Sequence, residues 1–175
     1  MNVDGYSVTR LTREDVPQLQ AFLERCSGYY ELCEGGPTPP NAAELELEEL
    51  PPGYPRDDHF PFLVRDAAGE IVALVNFFRN YPREHQWWLG FHIVDPAHRN
   101  QGLGERLLRG AEEFMLADGA EVLQLAVSQY NPAGERFWRR MGFIEIERQP
   151  HTTVLKKQSV VLIMRKTLVL PGGPA

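Results

Sequence analysis

Residues 91–108, FHIVDPAHRNQGLGERLL, carry the reading that decides the fold. A run of apolar residues ends at Val94, and Asp95–Pro96 breaks the strand, because the residue before a proline is pushed out of helical geometry. A glycine-containing turn then opens directly into Leu103, Leu107, Leu108, Ala111, Phe114 and Met115, one apolar stripe at helical spacing. Gly119 stands where a C-terminal cap belongs. A strand that turns through glycines into a helix offers an anion the unpaired N–H groups of the helix start, and Arg99 adds a fixed charge beside them.

Two phosphate motifs fail here. A P-loop needs Lys-Ser/Thr after its last glycine, where this chain has Glu105–Arg106. A dinucleotide fingerprint needs a third glycine, where this chain has Leu107, and it normally follows the first strand of a parallel sheet. Here the turn follows hairpins.

Outward from the turn, FLVRD and IVALVNFFR are joined by Ala67–Ala68–Gly69, and NYPREH leads into QWWLGFHIV. Apolar residues at both parities predict a sheet covered on both faces. Upstream, residues 6–11 read as a strand, and Thr12 with Asp15 as a capping box opens a helix over 13–27. A short helix over 42–50 sits between Pro and Gly clusters as a lid-like insertion. Downstream come the strand EVLQLAVS, a helix from Asn131–Pro132 to Met141, and the strands FIEIER and SVVLIMRK. The order is β-α-α-β-β-β-α-β-α-β-β, an α/β domain over 1–170 with a flexible tail at 171–175.

The 175 residues are 43% hydrophobic and 24% charged, the balance of one globular domain. No stretch reaches the ~18 apolar residues of a membrane helix. The N-terminus has no secretory pattern, so the expected location is cytoplasmic, with no membrane partner. A net charge of −6 argues against nucleic acid. Between Glu31 and Asp58 eight acids face Arg56 alone, a segment that is either a solvated face or an attractor of cations. Cys26 and Cys33 fit no zinc or redox spacing, the five histidines do not cluster, and no metal site is expected.

Arg99-Asn100-Gln101-Gly102-Leu103-Gly104, with the strand and Asp-Pro before it and the Leu-rich helix after it, resembles the Arg/Gln-x-x-Gly-x-Gly/Ala signature of the GNAT superfamily of acyl-CoA-dependent N-acyltransferases. Asn131-Pro-Ala-Gly-Glu-Arg-Phe137-Trp138, followed by Gly142–Phe143, resembles its second signature. The resemblance covers about residues 6–167 and implies a mixed, mostly antiparallel central sheet with helices on both faces. It implies acetyl-CoA as acyl donor, with the pantetheine arm along His92, Ile93 and Val94. The pyrophosphate would lie on Arg99 and the backbone of Asn100, Gln101, Gly102, Leu103, Gly104 and Glu105. Asn131 is then a contact to the arm, a helix N-cap, or both. A homodimer through late strands is also implied.

Such enzymes usually move the acyl group directly to an amine, which must lose a proton while the leaving thiolate gains one. Many members use a Tyr as the acid where this chain has Trp138, whose indole is a poor acid; Trp138 packs on the cofactor arm or in the core. Solvent or Tyr130 is the replacement acid. Counting back by twos from Val94 places His92, Gly90 and Trp88 on one face, with His92 the one titratable side chain in phase, a base or a structural residue. Tyr29, Tyr30, Glu31 and Glu34 follow the first helix and suit an ammonium group, the tyrosines serving equally as loop anchors. The expected function is acetyl transfer to a small-molecule amine in a ternary complex. The rivals are an inactive acyl-CoA sensor or scaffold, and a nucleotide-binding protein.

Overall fold

In the computed structural model, which describes residues 1–169, Ile71 to Phe77 are buried one after another in strand β3 (Ile71–Arg79). Unbroken burial at both parities requires cover on both sheet faces. β1 (Ser7–Arg10), β2 (His59–Arg65), β3, β4 (Gln86–Val94), β5 (Val122–Ser128), β6 (Ile144–Thr152) and β7 (Gln158–Thr167) form one sheet in the order β1-β2-β3-β4-β5-β7-β6. β4 and β5 run parallel; every other neighbouring pair is antiparallel.

One face carries α1 (Val16–Arg25), α2 (Ser27–Tyr29), a π turn over Tyr30–Glu34 and α3 (Ala42–Glu48). Its core joins Leu19, Phe22 and Leu23 of α1 to Leu63, Leu74 and Ile93 of the sheet. α4 (Leu103–Ala117) and α5 (Pro132–Arg140) cover the other face, where Leu107, Leu108, Ala111 and Met115 share a core with Val75, Trp87, Leu123 and Leu125. Each such leucine buried contributes about 1.5–3 kcal/mol. The mixed, mostly antiparallel sheet with helices on both faces is the one expected.

Local differences have local causes. The helix expected over 13–27 begins as a 3-10 turn at Arg13–Asp15, with the Thr12 N–H donating to the Asp15 carboxylate at 2.9 Å, and α1 stops at Arg25. The helix expected over 42–50 ends at Glu48, because Glu49 turns extended ahead of Pro51–Pro52. This insertion is a docked wall: Gln20 donates to Pro39 O at 2.9 Å and accepts from the Ala43 N–H at 3.1 Å. The tail expected at 171–175 lies outside the described residues.

The feature that positions the site is in β4. Asn76 pairs with Phe91, but Phe77 pairs with Leu89, so Gly90 is an extra residue, a β-bulge. Parallel pairing with β5 also ends here, at Leu89–Leu125, although both strands continue. A Cβ on Gly90 would stand 2.6 Å from Phe78 Cε2, so the bulge is closed to larger residues unless that ring moves. The bulge corrects the expected phase. His92 shares the α4–α5 face with Leu89 and Trp87, whereas Trp88 lies on the opposite face.

Candidate functional site

Beyond Leu89–Leu125 the two parallel strands part, and the backbone of Gly90–Val94 has no partner on β5. The slot between them holds a small cavity of about 70 Å³, lined among others by Leu89, His92, Ala126, Asn131 and Trp138. Unpaired strand edges of this kind accept an extended chain carrying amides of its own.

At the end of β4, Asp95 caps a 3-10 turn (Pro96–His98) by accepting the Ala97 N–H at 2.9 Å, and its other oxygen meets Arg25 Nε at 3.0 Å. Burial alone would raise the Asp95 carboxyl, but the Ala97 N–H and Arg25 hold it below its ordinary value. Arg99 Nε donates to Val94 O at 2.9 Å, and its guanidinium lies near the Cys26 thiol at the end of α1. Asn100 (φ 60°) and Gly102 (φ 76°) are left-handed, and α4 starts from Gly102. The first intrahelical bond runs from Arg106 N to Gly102 O, leaving the N–H groups of Leu103, Gly104 and Glu105 free of helical partners. A Cβ on Gly102 would meet nothing within 4 Å, and one on Gly104 would make only ordinary contacts, 3.5 Å from His92 Cε1 and Phe137. A phosphate group therefore has both donors and open space.

Around the slot, Asn131 caps α5 by accepting the Gly134 N–H at 2.9 Å. Trp138 is 8% exposed and edge-on to His92 and Phe143 at 5.3 and 5.4 Å. His92 lies against Phe137 and Trp138, its Nε2 is buried without a partner, and burial lowers it to about 4. It is therefore neutral and weakly basic at physiological pH, and its ring is turned towards α5. Tyr130 lines neither cavity; it is 37% exposed, with Lys157 Nζ 3.7 Å from its ring centroid.

On the α1–α3 face the slot opens into a cleft of about 940 Å³. Tyr29, Tyr30 and Glu34 line it, and the exposed Glu31 does not. Tyr29 and Cys33 line both slot and cleft. Tyr29 is edge-on to Tyr30 and Phe91 at 5.4 and 5.1 Å, and burial holds its hydroxyl well above the ordinary phenol value. Burial likewise pushes the Cys33 thiol up to about 11.

The residue that sequence reasoning passed over is Glu46. It lines the cleft and accepts from Asn76 Nδ2 at 3.0 Å. Burial, opposed by that hydrogen bond and reinforced by the charge of Glu49, raises its carboxyl to about 7. The available signal was periodicity: Glu46 stands four residues after the buried Ala42, on the inward side of a short helix. Asn76, Phe78 and Trp88 complete this wall.

A strand edge splayed at a bulge, ending in a turn whose N–H groups face open space, can take an extended amide-bearing chain that ends in a phosphate. The sequence pattern of the acetyltransferase (GNAT) family matches residues 16–143, and the chain belongs to that family. The aminoalkylphosphonate N-acetyltransferase of Salmonella typhimurium is 30% identical over 88 residues, which are 49% of this chain and 56% of that protein. The chain spans about half the length of the curated relatives it matches. The structure of an acetyltransferase from Thermus thermophilus superposes with a TM-score of 0.73 at 20% identity, covering 96% of this chain and 100% of that one. The ribosomal-protein-S18-alanine N-acetyltransferase of Escherichia coli gives 0.66 at 19% identity, covering 95% and 96%.

Proposed function

We propose that this protein is an N-acetyltransferase that moves an acetyl group from acetyl-CoA directly to the amine of a small molecule, with both substrates held at once. The observation that carries this reading is that slot and cleft meet at one bulge, Gly90, while the helix start lies further along the same strand edge, where a Cβ on Gly104 would stand 3.5 Å from His92 Cε1. Bound acetyl-CoA supplies an acetyl group activated as a thioester. Leu103, Gly104 and Glu105 N–H groups with Arg99 hold its pyrophosphate, and the free edge of Gly90–Val94 holds the pantetheine amides.

Glu46 takes the proton that turns an ammonium into a nucleophilic amine, and a carboxylate near 7 is well matched to that task at neutral pH. The N–C bond forms as the C–S bond breaks. Of the two protons the ammonium gives up, one ends on the thiol and one in solvent. Tyr29 lines both cavities and keeps its hydroxyl proton, so it would be a hydrogen-bond donor to the departing sulfur. Cys33 stays a thiol and is a poor nucleophile, which supports direct transfer over an acetylated enzyme.

Trp138 at the usual tyrosine position favours a sensor that binds without turnover, but Glu46 in the cleft supports turnover. Among the described residues no helix is long and apolar enough to cross a membrane and no group of side chains could hold a metal. A cytoplasmic, metal-free enzyme is part of the same proposal.

The test is the thermal midpoint with acetyl-CoA, CoA, ATP or NAD, followed by acetyl-CoA consumption over a panel of primary amines. Stabilisation by the two CoA ligands alone, with turnover of an amine, is the expected result. An equal shift with ATP would overturn the cofactor assignment, and CoA binding without turnover of any amine would favour the sensor.

A further inference from the structure

The cleft has a one-sided charge. Glu34, Glu46, Glu49 and Glu147 line it, and no lysine or arginine does among the described residues. Glu34 is committed in part, since its Oε2 accepts the Val154 N–H at 3.1 Å, while Glu49 and Glu147 have no ion-pair partner among the described residues. Apart from His151, the rest of the lining is largely aromatic, aliphatic and uncharged polar, with Tyr81 and Trp88 at 6.1 Å edge to face. Asn76 lies on the same wall at 4% exposure, and its Oδ1 meets no donor in the protein.

The shape of the cleft adds a second constraint. Its floor crosses β3, β4, β5, β7 and β6 in that spatial order, so at roughly 4.8 Å per strand it is about 19 Å long. The slot opens in the middle of this trough, between β4 and β5. Glu46 is held by Asn76, the cross-strand neighbour of the slot-lining Phe91, with Glu49 near it on the β3 side, and Glu147 stands on β6 at the other end. A nitrogen reacting at the slot therefore leaves the rest of its molecule lying along aromatic walls towards a carboxylate.

We propose that the acceptor is an aliphatic di- or polyamine, carrying at least one ammonium group besides the reacting nitrogen and no anionic group. The proposal rests on the reading of this cleft as the acceptor site and narrows it. Glu49 and Glu147 reward a second positive charge away from the reacting nitrogen, aromatic faces suit both methylenes and ammonium groups, and an amino acid or aminophosphonate would bring its anion against carboxylates with no lysine or arginine to meet it.

The experiment compares kcat/KM for 1,4-diaminobutane, butylamine, 4-aminobutanoate and 2-aminoethylphosphonate with acetyl-CoA at pH 8, in the wild type, Glu49→Gln and, as a control outside the cleft, Glu31→Gln. The diamine should exceed butylamine at least tenfold and the two anionic amines at least a hundredfold. The diamine-to-butylamine ratio should fall about tenfold in Glu49→Gln and hold in Glu31→Gln. Butylamine equal to the diamine, or preference for either anionic amine, would overturn the proposal. Turnover of none of the four would count against the transfer reading itself. The acceptor class is then read from the thermal midpoint with CoA present: a shift with the diamine alone supports it, and no shift overturns it.

Discussion

Asn76 Nδ2 donates to Glu46 Oε2 at 3.0 Å from the strand position opposite Phe91, one residue from the bulge at Gly90. A carboxylate from the insertion is thereby held beside the place where β4 leaves β5. Asn76 is itself 4% exposed and locked in the most buried strand, so Glu46 takes its position from the sheet rather than from its own short helix.

Replacing Glu46 with Gln removes the proposed base while keeping the hydrogen bond from Asn76. Turnover should fall about 10²–10⁴-fold, with CoA binding unchanged, as measured by initial rates and CoA titration. In the wild type kcat/KM should fall as pH drops below about 7, because Glu46 becomes protonated. The folded carboxyl is raised above its unfolded value, so its contribution to stability is complete below the unfolded pKa and lost as pH rises through about 7. Glu46→Gln should therefore melt above the wild type at pH 8 while being nearly inactive.

Gly104→Glu tests the helix start. A Cβ at this position makes only 3.5 Å contacts, so the fold should hold. The longer acidic side chain brings negative charge to the N–H groups that would face the pyrophosphate. The thermal shift with CoA should vanish, and the midpoint without ligand should stay within a few degrees of the wild type.

Asp95→Ala removes both the cap on Pro96–His98 and the partner of Arg25. It should cost about 1–3 kcal/mol in urea unfolding and weaken CoA binding, because the same residue starts the turn that leads to Gly102. The wild-type contribution of Asp95 is present above the unfolded carboxylate pKa and is lost as pH falls through the lowered folded value. The stability gap between the two proteins should close in acid.

Gly90→Val tests the bulge. Its side chain would overlap Phe78, whose ring lines the cleft, so the ring must swing away. KM for the amine should rise at least tenfold, with a smaller effect on KM for acetyl-CoA, in steady-state kinetics.

The parts of the molecule that could be read in advance are those with local causes. The Asp95–Pro96 break, the turn at Gly102 and the stripe from Leu103 to Met115 are written in consecutive residues, and they place the helix start correctly. Glu46 was hidden because what distinguishes it is a hydrogen bond from Asn76, thirty residues away, and its place on a cleft wall shared with Phe78 and Trp88 of the sheet. The phase of His92 was lost at Gly90, since a bulge exists only in the register between two strands. An isolated glycine inside an otherwise bulky strand was its one visible sign.

Glu34 and the β6–β7 hairpin tie the rim of the trough together: the Thr153 hydroxyl donates to Glu34 O at 3.1 Å, and Lys157 Nζ to Leu32 O at 3.0 Å. With that rim braced, the slot through the sheet works as a passage with two doors. One lies on the side of His92, Asn131 and Trp138, where the proposed donor would enter, and the other beneath α3, where the proposed acceptor would. On the proposed function neither substrate has to leave for the other to come in, so initial-rate patterns should allow either order of addition.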